Sequence, residues 1–157
     1  MIKFFKLIFI IFSISISSLE EGYSYSQNKF SLLVHKTPTC GCCKKWVKHL
    51  EANSFSTMIK DHQNLQKVKE QHSIKPKYQS CHTAVSQDGY VFEGHIPSKF
   101  IKQFLANPEA DAIGLAVPGM PLGSPGMEVE GRFMPYDVLV LYKDGSSKVY
   151  EIGRAHV

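Results

Sequence analysis

Short apolar runs alternate with polar stretches through the first half of the chain and predict alternating strands and helices. Residues 30–35 form an apolar run of strand length, which Pro38 then interrupts. Apolar side chains recur three, four and seven positions after Cys43, the spacing of an amphipathic helix. The predicted elements are strands at 30–35 and 55–59 and helices at 43–53 and 64–72.

The second half of the chain predicts two hairpins and a further helix. Strand-like runs flank Asp88-Gly89 and Asp144-Gly145, and Asp-Gly is a strong turn signal. Residues 113–135 are rich in Gly, Pro and Met without periodicity, which predicts an ordered loop. The predicted elements are strands at 81–86, 90–93, 137–142 and 147–150 and a helix at 97–107. This order predicts a thioredoxin-like α/β fold: a mixed sheet with helices on both faces, extended by the loop and a C-terminal β-hairpin.

The first residues predict export. A basic start is followed by an apolar run from Leu7 to Ile16, the pattern of a signal peptide. The run is shorter than the roughly 20 apolar residues that a membrane-spanning helix needs, so we expect no stable membrane anchor. Residues 1–24 are assigned to the signal peptide and the start of a spacer, and we expect the protein in the periplasm or secreted.

The last six residues, 152–157, stand apart from the strand that precedes them. Their codons can be written to match a widely used sequencing adapter followed by a stop codon. We therefore expect them to be adapter read-through. Residues 25–151 then form one domain, enough for a single hydrophobic core.

The charge pattern gives no sign of a nucleic-acid partner. The net charge is +4, the lysines are scattered, and arginines do not alternate with aromatic residues. We interpret this as a solvated basic surface.

The four cysteines are concentrated at one point of the chain. Cys40, Cys42 and Cys43 lie within four residues, and Cys81 is the fourth, a spacing that disfavours two ordinary disulfides. Residues three apart share a face of a helix, so Cys40 and Cys43 can converge there, whereas Cys42 points elsewhere. All three sulfurs meet only if Cys40 and Gly41 lie in the turn before the helix.

A helix N-terminus and two following lysines favour thiolates, which either bind metal or attack a disulfide. The alternatives are an oxidoreductase with Cys40 as nucleophile and Cys43 as resolving thiol, an inert disulfide, a zinc-binding interaction module and a soft-metal site. Cys42 favours metal, because a third thiol would invite wrong pairings in an oxidoreductase. Thiolates suit Cu(I), zinc or iron–sulfur clusters. Zinc is less favoured, because Cys81 has no second cysteine beside it.

Four blocks of the sequence resemble the CopG family of periplasmic copper-resistance proteins, long catalogued as a domain of unknown function. They are Thr37–Cys43, Ser80–Ala84, Gly89–Pro97 and Gly114–Glu128. The resemblance implies a thioredoxin-like fold with a multinuclear copper site, Cu(I) favoured, and a role in copper resistance or Cu(I)/Cu(II) handling. It implies periplasmic copper-handling proteins as partners and leaves open whether copper redox turnover occurs. The implied ligands are Cys40, Cys42, Cys43 and Cys81.

Four further side chains are candidates for extra ligands or for supporting groups. His82 follows Cys81 directly, and His95 precedes a predicted helix. Met120 and Met127 offer soft thioethers, although methionines in such loops more often fill gaps in a core. Among the remaining histidines, His35 is expected not to bind the metal, and His49, His62 and His72 are expected to be solvated.

Overall fold

The structure is a computed structural model that describes residues 30–153. The predicted signal peptide and residues 154–157 lie outside the described residues. The strands are β1 (Ser31–Lys36), β2 (Ser56–Asp61), β3 (Thr83–Ser86), β4 (Val91–Glu93), β5 (Ala112–Ala116), β6 (Tyr136–Tyr142) and β7 (Ser147–Gly153). The helices are α1 (Gly41–Ala52), α2 (Gln66–Gln71) and α3 (Ser98–Ala106), with a 3₁₀ turn at Pro76–Tyr78.

All seven strands form one mixed sheet in the order β2-β1-β3-β4-β5-β6-β7. The pairs β1–β2 and β4–β5 are parallel, and the other neighbours are antiparallel. The predicted α/β class, the element order through α3 and the C-terminal hairpin β6–β7 are confirmed. Each predicted element agrees with the structure to within three residues at either end.

The predicted loop over 113–135 is wrong at its start, because β5 occupies Ala112–Ala116 and joins β4 to β6. Gly114 concealed this strand, since glycine inside a strand weakens the pattern. The structure requires glycine there: its φ is +150°, and a Cβ would lie 1.8 Å from the Val91 carbonyl oxygen. The loop proper begins after β5.

Strand β7 continues past its predicted end. Ile152 pairs with Asp137 and Gly153 with Tyr136. The read-through hypothesis concerns the origin of the codons and stays a prediction.

Alternation along the strands gives the sheet two different faces. Leu32, Ala84 and Phe92 lie on one face and pack with α1 and α3 in the main core. The side chains adjacent to Ala84 and Phe92 in the sequence point to the other face. There Thr83 and Glu93 contact Lys69 of α2. Helices therefore cover both faces, and α1 emerges from the end of β1 with the cysteine motif at its start. No helix among the described residues is long and apolar enough to cross a bilayer.

Candidate metal centre

The first turn of α1 brings three of the four sulfurs together. Cys40 is the N-cap residue, with an extended backbone at φ −67° and ψ 97°, and its sulfur accepts a hydrogen bond from the Cys43 N–H at 3.3 Å. The Sγ of Cys42 lies 3.5 Å from that of Cys40. Cys40 thus stands outside the helix as predicted. Gly41 does not: it is the first helical residue, because the extended conformation of Cys40 alone turns its side chain back toward the helix.

Cys40 and Cys43 form a disulfide, with their Cα atoms 5.3 Å apart. This separation is ordinary for a disulfide and suits residues three apart at the start of a helix. Cys42 and Cys81 are free thiols. The structure therefore holds the four sulfurs as one disulfide and two thiols, and the expected set of four thiolates needs this bond reduced.

Cys81 reaches the motif from the segment just before β3. Its Sγ lies 3.5 Å from the Sγ of Cys43 and 3.9 Å from that of Cys42. Burial, and next the nearby Cys42, raises the pKa of the Cys81 thiol to about 12. The helix N-terminus thus does not make this cysteine a thiolate, and Cys81 stays protonated at neutral pH until something displaces its proton.

His95 faces Cys81 with a defined tautomer. Its Nδ1 lies 2.8 Å from the Pro125 carbonyl oxygen, which only accepts, so Nδ1 carries the proton and donates. Its Nε2 is then the acceptor, 3.1 Å from the Cys81 Sγ. Burial lowers the pKa of His95, which keeps the ring neutral. A neutral histidine whose second nitrogen donates to a carbonyl has the arrangement usual for metal ligands.

His82 contacts the same sulfur and lies next to His95. Its Nδ1 lies 3.3 Å from the Cys81 Sγ, and its ring lies 4.3 Å from the Trp46 ring and 4.9 Å from the His95 ring between centroids. Burial, aided by His95 and Lys69, holds the pKa of His82 well below its usual value. Its buried Nε2 has no hydrogen-bond partner among the described residues. Strand alternation did not predict this contact, because β3 begins only at Thr83.

The two candidate methionines differ in position. Met127 is half-buried and lines a cavity of about 320 Å³ together with Gly41 and Cys42. Met120 is 53% exposed. Met127 is thus the methionine that lies beside the cysteine motif.

The loop after β5 packs directly on the motif, which the sequence pattern does not reveal. Gly126 has φ +87°, and a Cβ there would lie 2.7 Å from the Cys42 carbonyl oxygen and 2.8 Å from the Trp46 nitrogen. Pro125, one residue earlier, accepts from His95. One short segment therefore fixes both the first turn of α1 and the ring of His95.

A buried polar network supports the segment that carries Cys81. The Glu93 carboxylate pairs with Lys69 and accepts from the Ser80 N–H and the Thr83 hydroxyl, each at 2.6 Å. Burial raises the pKa of Glu93 despite these partners. This network holds Ser80, and through it Cys81, in position. A lone glutamate and lysine on separate elements gave no sequence signal for it.

Two groups of three or more side chains among residues 30–153 already have their ligand atoms close enough together to hold a metal ion. One is Cys40, Cys42, Cys43 and Cys81, and the other is Cys81, His82 and His95; within each group the ligand atoms lie within 4.8 Å of one another. Cys81 belongs to both. The four predicted cysteines are therefore brought together, with His82 and His95 beside them.

Comparisons with known proteins agree with this site. The model of the family "Protein of unknown function, DUF411" matches residues 78–127. A solved structure of "Copper resistance protein copG", Form 1, is 40% identical, with a TM-score of 0.74, and the match covers 80% of this chain and 98% of that one. The chain belongs to the CopG copper-resistance family. Form 2 gives the same identity and TM-score, with 79% of this chain and 98% of the other covered. Comparison with curated proteins found no match. The family and the cysteine cluster both fit copper binding.

Proposed function

We propose that this protein is an exported copper-binding protein that holds several Cu(I) ions on the thiolates of Cys40, Cys42, Cys43 and Cys81. The observation that carries the proposal is the convergence of these four sulfurs within 4.8 Å. The role that follows is copper resistance or Cu(I)/Cu(II) handling in the periplasm, with copper ions as the cargo.

The sulfur spacing supports a shared metal site. Two sulfurs that each lie about 2.3 Å from one ion are at most about 4.6 Å apart. Three sulfur–sulfur distances fall below that limit: 3.5 Å for Cys40–Cys42, 3.9 Å for Cys42–Cys81 and 3.5 Å for Cys43–Cys81. Thiolates are soft ligands that suit Cu(I), and one thiolate has enough lone pairs to bridge two ions. Four thiolates this close therefore favour a cluster over a single bound ion.

The histidines complete the donor set. Nε2 of His95 and Nδ1 of His82 both approach the Cys81 sulfur, and both rings are neutral because burial lowers the pKa of each. Neutral imidazole is the form that binds metal. We assign His95 as the stronger additional ligand, since the Pro125 carbonyl orients it. His82 is assigned a supporting position against Trp46.

The disulfide sets a condition on this function. Cys40 and Cys43 become ligands only after their bond is reduced by two electrons and two protons. The same disulfide favours a second candidate function, a thiol–disulfide oxidoreductase with Cys40 as nucleophile and Cys43 as resolving thiol. Copper redox activity is compatible with either function.

Anaerobic Cu(I) titration of the reduced mature protein against a colorimetric chelator tests the proposal. The wild type is expected to bind several Cu(I) ions per chain, and Cys42→Ser is expected to lose most of them. Lys48→Gln is the matched control, because Lys48 is exposed on the same helix, lies beyond the first turn that carries the motif, and brings no sulfur. It should bind as the wild type does.

Insulin reduction by the same variants separates the two candidates. Rapid turnover by Cys42→Ser, together with at most one weakly held copper in the wild type, would overturn the copper proposal in favour of the oxidoreductase. Cell fractionation, with mass spectrometry of the mature N-terminus, tests export. An unprocessed protein that remains in the cytoplasm contradicts the proposed location.

A further inference from the structure

A second group of histidines lies apart from the four cysteines, against the sheet face that carries α2. His35 is on β1, His62 follows the last residue of β2, and His72 caps the C-terminus of α2. The His62 N–H donates to the Lys36 carbonyl at 2.9 Å, which continues the β1–β2 ladder by one residue. Two of the three imidazoles are thereby placed on adjoining parallel strands.

The His35–His62 pair has the separation of two ligands on one metal ion. Nδ1 of His35 lies 2.8 Å from Nε2 of His62, and the ring centroids are 5.0 Å apart. Two nitrogens each about 2.0 Å from an ion, at right angles to each other there, are also about 2.8 Å apart. In the metal-free protein a hydrogen bond joins these two nitrogens.

His72 can supply a third nitrogen. Its ring centroid lies 6.5 Å from that of His35. Because His72 is only half-buried, rotation of its side chain brings the ring toward the pair without disturbing the core. We therefore treat His35 and His62 as the fixed part of the site and His72 as its movable ligand.

Burial and charge favour neutral rings at His35 and His72. His35 is 8% exposed, and burial, followed by His62, His72 and Lys60, lowers its pKa to about 4. Burial also lowers the pKa of His72. The charge of Lys36 is matched by Asp61 at 2.6 Å, which leaves Lys60 as the cation that opposes a bound metal.

We propose that His35, His62 and His72 form a second metal site that binds one Cu(II) ion through imidazole nitrogens. Imidazoles suit divalent copper, nickel and zinc, and copper is bound most tightly of these at a given nitrogen site. The proposal does not depend on the function proposed for the cysteines.

The histidine site lies next to a cavity that is also lined by two of the cysteines. Gln63, the neighbour of His62, lines a cavity of about 390 Å³ with Cys40 and Cys81. Cu(II) held by the histidines would thus lie beside the opening that leads to the sulfurs. This position suits capture of oxidised copper next to a Cu(I) site.

The test uses the full mature chain, with its disulfide intact and with Cys42 and Cys81 alkylated so that free thiols cannot reduce Cu(II). Electron paramagnetic resonance and a competition titration with glycine measure Cu(II) binding. We expect one Cu(II) per chain with hyperfine coupling to at least two nitrogens. Removing a ligand in His62→Gln should weaken binding at least about tenfold, with a smaller loss in His72→Gln.

His49→Gln is the matched control. It removes a histidine outside the cluster, and glutamine can still accept the Ser98 N–H that His49 Nε2 accepts at 3.1 Å. Circular dichroism checks the fold of every variant. If His62→Gln and His72→Gln give the spectrum and affinity of the wild type, the pair is only a packing contact and the proposal is overturned. The Cu(I) titration depends on thiols and uses other variants, so either proposal can fail without the other.

Discussion

At the scale of single residues, Cys81 decides how the sulfur site responds to pH. It is the residue common to both groups of potential ligands, and it is approached by two cysteine sulfurs and two imidazoles. Its partial burial keeps the thiol protonated, whereas a bound soft metal requires the thiolate. In the proposed site, copper and a proton would therefore compete for the same sulfur.

Cu(I) binding should release the Cys81 proton over the whole neutral range, because the pKa of this thiol is raised to about 12. Each released proton raises the apparent affinity up to about tenfold per pH unit, so binding tightens as pH rises. Competition titrations between about pH 6 and pH 8 measure the slope. In Cys81→Ser the change in log affinity per pH unit should be smaller by about one, because one proton fewer is released on binding. An equal slope in both proteins would show that Cys81 does not bind the metal through its thiolate.

At the scale of elements, the segment from 117 to 135 shapes the site as much as α1 does. It contributes the Pro125 carbonyl that orients His95 and the glycine that lies against the backbone of Cys42. Its close approach to α1 depends on the missing side chain at Gly126.

Gly126→Ala is expected to push the loop off α1, and Gly131→Ala is its matched control. Both glycines have a positive φ, +87° and +67°, but a Cβ at Gly131 meets nothing within 4 Å. The control should cost about 1–2 kcal/mol of unfolding free energy from backbone strain alone. Gly126→Ala should cost about 1–3 kcal/mol more, from overpacking against α1.

Urea unfolding and Cu(I) titration measure the two effects. Reduced Cu(I) affinity is expected only in Gly126→Ala, because only that change displaces the Cys42 backbone. Equal losses of stability in the two variants would contradict the predicted contact.

At the scale of the whole molecule, neutral histidines are built into both faces of the sheet. His35 and His72 lie against the α2 face, whereas His82 and His95 lie beside Cys81 and Trp46. Burial lowers the pKa of all four. In mild acid the folded state therefore binds fewer protons at these histidines than the unfolded state does.

The metal-free protein should lose stability in mild acid. A free histidine has a pKa of about 6.5, so below that pH the unfolded state binds more protons than the folded state does. The unfolding free energy is then highest above about pH 6.5 and falls as pH decreases toward the folded-state values. For His35, whose pKa is lowered to about 4, the loss reaches at most about 3 kcal/mol. Glu93 acts in the opposite sense, because its folded-state pKa is raised.

Urea unfolding between about pH 7 and pH 4.5 checks this prediction. His35→Gln should give a shallower dependence on pH, since glutamine does not titrate. Parallel pH profiles for the variant and the wild type would show that His35 carries a proton in the folded state as readily as in the unfolded chain.

Local patterns predicted most of the fold. The apolar spacing after Cys43 predicted α1, and the two Asp-Gly turns predicted both hairpins, because these signals depend only on neighbouring residues. Strand β5 was missed because Gly114 is required by its approach to Val91, which is a contact between distant residues. Such a contact leaves no periodic signal in the sequence.

The same division holds for the metal centre. The crowding of Cys40, Cys42 and Cys43 and the resemblance to a family were enough to name the four sulfurs as candidate ligands, and the structure brings those sulfurs together. The sequence by itself determined which cysteines could supply ligands and that Cys40 must precede the helix if its sulfur is to meet the others. Only the tertiary structure decided that partial burial keeps the Cys81 thiol protonated, that His95 is oriented by Pro125, and that His35 meets His62. Burial and contacts between residues 27 or more positions apart arise only when the whole sheet assembles, so no local pattern contains them.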